Sequence, residues 1–252
     1  MLITRTHHDV PSKLDNGRPI RIYVISPSIP NYPQAKFPGV VVFSEIYQVT
    51  GPVERFAGQI ASQGFVVACP SVYHEFEGPE PIPYDTEAFR VGKDATLSID
   101  LLVSLENCNG RIATTGMCLG GHLAAFDSRV LSSVCFFATD IHRRARGKCI
   151  CDPTLVRFSQ YVIQMIFGKQ DTHVPREGRD LIRKTLEDAN VTCSFLEVQA
   201  QHAFIRDEHS KGRWDAALAR SLFGFMMEVF ERTAGRDLGP RRGENAAPEH
   251  VC

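Results

Sequence analysis

The stretch "GMCLGG", residues 116–121, sets one thiol in a frame of small residues. A cysteine becomes a nucleophile when its surroundings favour the thiolate and leave it open to attack. Glycines on either side let the chain turn sharply enough to push such a side chain outward. Cys118 is therefore a candidate nucleophile. A nucleophile of this kind needs a base to move protons and a carboxylate to orient that base. "QAQHAF" offers His202 as the base, "GKQDTHVP" offers Asp171 as the acid, and a second carboxylate, Glu45, follows "GVVVFS". A set of this composition suits acyl transfer: the thiolate attacks a carbonyl, an acyl-thioester forms, and water releases it.

Such residues work together only if the chain brings them to one place. Short apolar runs of strand length alternate here with helical patterns. "RIYVIS" (21–26), "GVVVFS" (39–44), "FVVAC" (65–69), "RIATT" (111–115), "SSVCFFA" (132–138), "YVIQMIF" (161–167) and "VTCSFLEV" (191–198) read as strands. "TGPVERFAGQIASQG", with Thr50 as a cap, reads as a helix with Val53, Phe56, Ala57, Ile60 and Ala61 on one face. Helices are also expected over "DATLSIDLLVSLEN", over "LGGHLAAFDSR", over "PREGRDLIRKTLEDAN" opened by Pro175, and along a last segment carrying Leu218, Leu222 and Phe230. Alternation of this kind predicts an α/β fold, an open, mostly parallel sheet with helices on both faces. The first strand or two are expected to form an antiparallel edge.

In such a sheet ligands bind beyond the carboxyl ends of the strands. Glu45, Cys118, Asp171 and His202 each come directly after a predicted strand. Their chain order, nucleophile then acid then histidine, is that of α/β-hydrolases. Gly116 and Gly120 take the glycine positions of a nucleophile elbow, and the helix after it would aim its first N–H groups at the thiol. One domain is expected over residues 1–235, with a polar tail at 236–252 expected to be disordered. The Pro-rich, aromatic segment 73–93 reads as a lid or pocket wall.

Bulk properties narrow the partners. With 28 Lys and Arg against 29 Asp and Glu, the net charge of -1 leaves no electrostatic footprint for nucleic acid or an anionic membrane. No apolar run is long enough to span a bilayer, and the start lacks the apolar core of a signal peptide, so a cytoplasmic protein is expected. The eight cysteines have no regular spacing, and several lie in apolar runs where a thiol packs as a small hydrophobe. Cys149 and Cys151 stand without a second pair or a histidine at ligand spacing, so no metal site is expected. Nor does "GMCLGG" read as a phosphate loop, because no Lys-Ser/Thr follows its glycines.

Taken together, "FSEIY", "GMCLGGHLA", "FGKQDTHVP" and "QHAFIRDE" resemble the dienelactone hydrolase (carboxymethylenebutenolidase) family over roughly residues 20 to 233. The resemblance implies an α/β-hydrolase fold, a triad of Cys118, His202 and Asp171, and Glu45 helping to ionise the thiol. It also implies an oxyanion hole from the backbone N–H groups of Ile46 and Leu119. Arg206, four residues past His202, would bind a substrate carboxylate, with Arg90, the only Arg in 73–93, as a second candidate. No cofactor or metal is implied; the partner is a small-molecule lactone or ester. The segment 73–93 is short beside the lids of family members, which bears on the substrate more than on the chemistry.

Blander roles compete at several positions. Arg206 could pair with Asp207 or Glu208 at the surface. His173 and His209 suit the surface, His122 suits packing, and Trp214 suits the core of the last helix. A hydrolase or thioesterase-like step in a natural-product pathway, polyketide or tropolone, is an alternative function. A thiol peptidase and a non-catalytic binding protein on the same fold are two others.

Overall fold

The structure is a computed structural model, and it describes residues 1–12, 18–73, 78–84, 96–124, 127, 129–142 and 162–236. Eight strands form one sheet in the order β1-β2-β4-β3-β5-β6-β7-β8. They are β1 (Leu2–Val10), β2 (Ile20–Ser28), β3 (Phe37–Phe43), β4 (Val66–Pro70), β5 (Cys108–Met117), β6 (Val130–Phe136), β7 (Val162–Gly168) and β8 (Cys193–Val198). β1 and β2 run antiparallel to their neighbours. From β4 across to β8 every pairing is parallel. Among the described residues the helices are α1 (Gly51–Ser62), α2 (Leu97–Ser104), α3 (Leu119–Leu123), α4 (Arg176–Asp188) and α5 (Ala216–Phe230), followed by a π-helical turn at Glu231–Gly235.

The unbroken apolar run of β3 follows from its position. Val41 and Phe43 point into one core, with Leu102 of α2 and Ile182 of α4. Val40 and Val42 point into the other, with Val53 and Ile60 of α1 and Met226 of α5. A strand covered on both faces must be apolar on both. β1 is the opposite case. Its residues are almost all exposed, so no alternation announces it, and no strand was expected there. The expected antiparallel edge is real, but it consists of β1 and β2; the strand over 39–44 lies inside the parallel part.

Some boundaries differ from expectation. The helix after Cys118 ends at Leu123, where it was expected to run on. Thr50 sits at the N-cap of α1 but makes no side-chain cap bond there. Trp214 is 45% exposed and precedes α5, so it is not core. Asp215 explains why: its carboxylate accepts from the N–H groups of Ala217 and Leu218 at 2.9 Å each, which starts the helix after the tryptophan. The tail over 237–252, Cys149, Cys151 and most of 73–93 lie outside the described residues.

Two glycines are dictated by close approach where β5 passes into α3. A Cβ on Gly116 would stand 2.1 Å from the carbonyl oxygen of Gly120, and one on Gly120 would stand 2.2 Å from that of Phe43. Both obstacles are backbone and cannot swing aside. Gly58, inside α1, has nothing within 4 Å of its Cβ position. Gly120→Ala is therefore expected to destabilise the fold by about 2 kcal/mol or more, and Gly58→Ala to stabilise it by about 0.5–1 kcal/mol. Urea unfolding of the two variants beside the wild type measures both.

Candidate active site

β3, β5, β7 and β8 are parallel, so their carboxyl ends open on one edge of the sheet, and Glu45, Cys118, Asp171 and His202 all arrive there. Cys118 has φ 56° and ψ −117°, the strained conformation that throws a side chain out of a sharp turn. Three backbone bonds hold it. Its N–H donates to Phe136 O at 3.0 Å, and its carbonyl accepts from Thr139 N–H at 3.1 Å and Gly121 N–H at 3.2 Å.

His202 Nδ1 lies 2.7 Å from Asp171 Oδ2, and both side chains are nearly or wholly buried. Asp171 Oδ1 accepts from the N–H groups of His173 at 2.8 Å and Val174 at 3.3 Å. Burial works against the charge on Asp171, but these bonds, led by that from His202, hold its carboxyl below the ordinary value. The loop is pinned from behind by Arg179 of α4, a buried guanidinium that donates to Val174 O at 2.9 Å and pairs with Glu197 of β8. Burial likewise opposes protonation of His202. Its bonds to Asp171 and to Cys118, with their charges, outweigh burial and raise its pKa to about 10. The sulfur and the imidazole are thus coupled. Around them the His173 ring stacks on His202 with centroids 4.2 Å apart, Phe137 meets it edge-on at 4.9 Å, and Thr139 Oγ1 lies 3.8 Å from Cys118 Sγ.

Glu45 is buried, and its Oε2 accepts from Arg206 Nη1 at 2.7 Å. Among the described residues the other oxygen, Oε1, has no hydrogen-bond partner, and neither has Arg206 Nε. Burial pushes the Glu45 carboxyl above its ordinary value, although Arg206 and His202 pull it down. Arg206 also lies over the Tyr84 ring at 4.5 Å. Neither surface acid pairs with it. Asp207 and Glu208 go instead to Arg55 of α1, at 2.8 and 2.9 Å.

These groups line a cavity of about 380 Å³ that includes Glu45, Ile46, Cys118, Thr139, His202 and Arg206. Leu119, next to the thiol, is the first residue of α3. His122 packs as expected, 1% exposed, with Nδ1 3.3 Å from Thr139 O. His173 is exposed, as expected, and one face of its ring also forms part of the site's wall. Thr139 and Arg213 also line the cavity and were not singled out in the sequence. Thr139 could have been found, because it follows the carboxyl end of β6, the strand between those of Cys118 and Asp171. Arg90 lies outside the described residues. Asp171, His173 and His202 bring possible ligand atoms within 4.8 Å of one another. Asp171 and His202 already bond each other, however, and a protonated imidazole has no lone pair for a metal.

The model of the dienelactone hydrolase family matches residues 20–233. The chain belongs to this family. A Saccharomyces cerevisiae protein provisionally named carboxymethylenebutenolidase is 50% identical to it over the whole of both chains. The carboxymethylenebutenolidase of Pseudomonas sp. strain P51 is 27% identical, covering 67% of this chain and 74% of its own. Among solved structures, a provisionally named dienelactone hydrolase from Klebsiella pneumoniae superposes with a TM-score of 0.75 at 18% identity, over 92% of this chain and all of the other. A dienelactone hydrolase-like promiscuous phosphotriesterase from metagenomic libraries gives 0.69 at 17%, over 91% and 98%. The fold is that of α/β-hydrolases, and the family makes the protein a hydrolase of small-molecule esters. That sets aside the non-catalytic binding module. Among the described residues no helix is long and apolar enough to cross a membrane.

The raised pKa of His202 has a consequence for stability. Its ordinary value is 6.5 and its folded value about 10, so the folded chain holds this proton more tightly. That contribution is complete below about pH 6.5 and is lost as pH climbs towards 10. The urea midpoint of the wild type should fall across this window. In Asp171→Asn, which removes the main partner, the fall should be smaller.

Proposed function

We propose that the protein hydrolyses a carboxylate-bearing enol lactone or similarly activated ester, with Cys118 as the nucleophile. What carries the reading is a thiol at a strained turn, coupled to a buried His202–Asp171 pair, inside a cavity lined by Arg206. A free thiol is only a few per cent ionised at neutral pH, so activation matters. Here the imidazole holds the proton that the sulfur gives up.

The thiolate attacks the carbonyl carbon and a C–S bond forms. The carbonyl electron pair moves to oxygen, and the backbone N–H groups of Ile46 and Leu119 receive that oxyanion. When the pair returns, the ring or ester C–O bond breaks and the enolate leaves. Protonated His202 supplies the proton that turns the enolate into its neutral product. The neutral imidazole, oriented by Asp171, then takes a proton from water, whose oxygen attacks the thioester. Hydroxide adds, the C–S bond breaks, and the thiolate and protonated His202 return to their starting state. Thr139 Oγ1 is placed to steady the sulfur.

Glu45 supports the substrate class. Its pairing with Arg206 is a contact that a substrate carboxylate can replace, because a guanidinium binds any carboxylate in the same geometry. The displaced Glu45 carboxylate, no longer neutralised by Arg206, then favours the protonated form of His202 that pairs with the thiolate. An anionic substrate would thereby help to ionise its own nucleophile. A metabolic setting, catabolic or in natural-product assembly, follows from the identity of that substrate.

Cys118→Ala is expected to lower kcat/KM for an enol lactone by at least about a thousandfold while the far-ultraviolet circular dichroism stays unchanged. Near-native turnover by that variant would remove Cys118 from the chemistry. A lactone bearing a free carboxylate should also outpace its methyl ester by about ten- to a hundredfold, and Arg206→Lys should erase much of the gap. Equal rates for acid and ester in the wild type would rule out the carboxylate-binding role.

A further inference from the structure

Outside the cavity around Cys118 lies a second, more open cleft of about 830 Å³. One wall is apolar: Tyr47, Ile82, Pro83 and Tyr84. That wall is tied to the end of β3 by the buried Gln48, whose amide donates to Gly78 O at 3.0 Å and Glu80 O at 2.6 Å. The opposite wall is the loop 206–213, and it is cationic. His209, Lys211 and Gly212 all have positive φ, at 50°, 54° and 75°, so the loop winds tightly. Lys211 and Arg213 line the cleft together with Glu208, whose charge, like that of Asp207, is offset by Arg55 on α1.

Arg213 is the unusual member. It lines both the outer cleft and the inner cavity with Cys118 and His202. It is half-buried, yet among the described residues its guanidinium makes no hydrogen bond or ion pair, and it exerts only a weak Coulombic pull on Glu45. A partly desolvated guanidinium without an acceptor is costly unless a ligand supplies one. Arg206 does not share this condition, since Glu45 already holds it.

We propose that Arg213, with Lys211 beside it, is a second anion-binding subsite, so that the substrate carries a carboxylate at its far end in the outer cleft. This rests on the reading of the inner cavity as an ester hydrolase site, and it extends the substrate class to an elongated acid ester. The apolar wall takes the connecting chain. Arg213 takes the terminal carboxylate, and Lys211 adds to the field at the rim.

The test compares p-nitrophenyl hemiesters of dicarboxylic acids with p-nitrophenyl esters of monocarboxylic acids of equal chain length. The wild type should favour the hemiester at its best length. Arg213→Gln should cut that preference in kcat/KM about tenfold, mostly through KM, and Arg213→Lys should restore part of it. Lys211→Gln, a change at an exposed side chain, should cut it about threefold, and added salt should weaken it in the wild type. No preference for any hemiester, or a preference that survives Arg213→Gln within about twofold, overturns the subsite. Calorimetric titration of free adipate into the wild type and Arg213→Gln needs no turnover. Binding that Arg213→Gln abolishes, in a protein inert towards esters, would sink the hydrolase reading alone. Adipate binding equally to both proteins would sink the subsite alone.

Discussion

The backbone of Cys118 is held in a conformation that a residue with a side chain rarely takes, and much of the site is arranged to keep it there. The turn closes only because α3 starts immediately against the ends of β3 and β5. That contact leaves no room for a Cβ at Gly116 or Gly120. The strain is held by hydrogen bonds from β6 and the segment after it, Phe136 O and Thr139 N–H, so the neighbouring strand takes part in aiming the thiol. A parallel sheet suits this purpose, because adjacent strands end together and lend their last backbone groups to one another.

Charge is arranged around that turn in two buried pairs of different character. Asp171 and His202 form a closed pair: every carboxylate oxygen is bonded, and the loop that carries the acid is itself pinned by Arg179. Glu45 and Arg206 form an open one, each with an atom left over. A satisfied pair rigidifies what it holds, whereas an unsatisfied pair is disposed to exchange partners. The first fits orientation of a base. The second fits a contact that changes when a ligand arrives.

What was legible in the sequence followed physical signals that survive without coordinates. Runs of Val, Ile and Phe mark strands buried on both faces, and the residue after each such run falls at the ligand-binding edge. That logic reached Glu45, Cys118, Asp171 and His202. It could not reach the partnership of Glu45 with Arg206, 161 residues apart, because that depends on how the loop after β8 folds back over the end of β3. β1 escaped for a different reason: a strand exposed on both faces carries no hydrophobic period. Trp214 misled because bulk and aromaticity suggest burial, while Asp215 starts the helix one residue too late for it. Arg213 gave no signal at all, since its proposed role rests on the lack of an acceptor beside it among the described residues.

The two walls of the outer cleft differ in how firmly they are joined to the rest. The residues proposed for chemistry sit on strand ends whose neighbours are backbone atoms, and little can change there without loss of the fold. The apolar wall is held mostly by side chains: the Gln48 amide bonds Gly78 and Glu80, Ser71 Oγ donates to Pro79 O, and Tyr84 Oη donates to Thr50 Oγ1, with one backbone bond from Ile82 N–H to Tyr47 O. A segment held mostly by side chains can be lengthened, shortened or exchanged as a cassette more readily than a strand end. Divergence among relatives would therefore accumulate in the wall before it touched the turn, and new substrates could be recruited by grafting the 78–84 segment while the machinery at the strand ends is inherited intact.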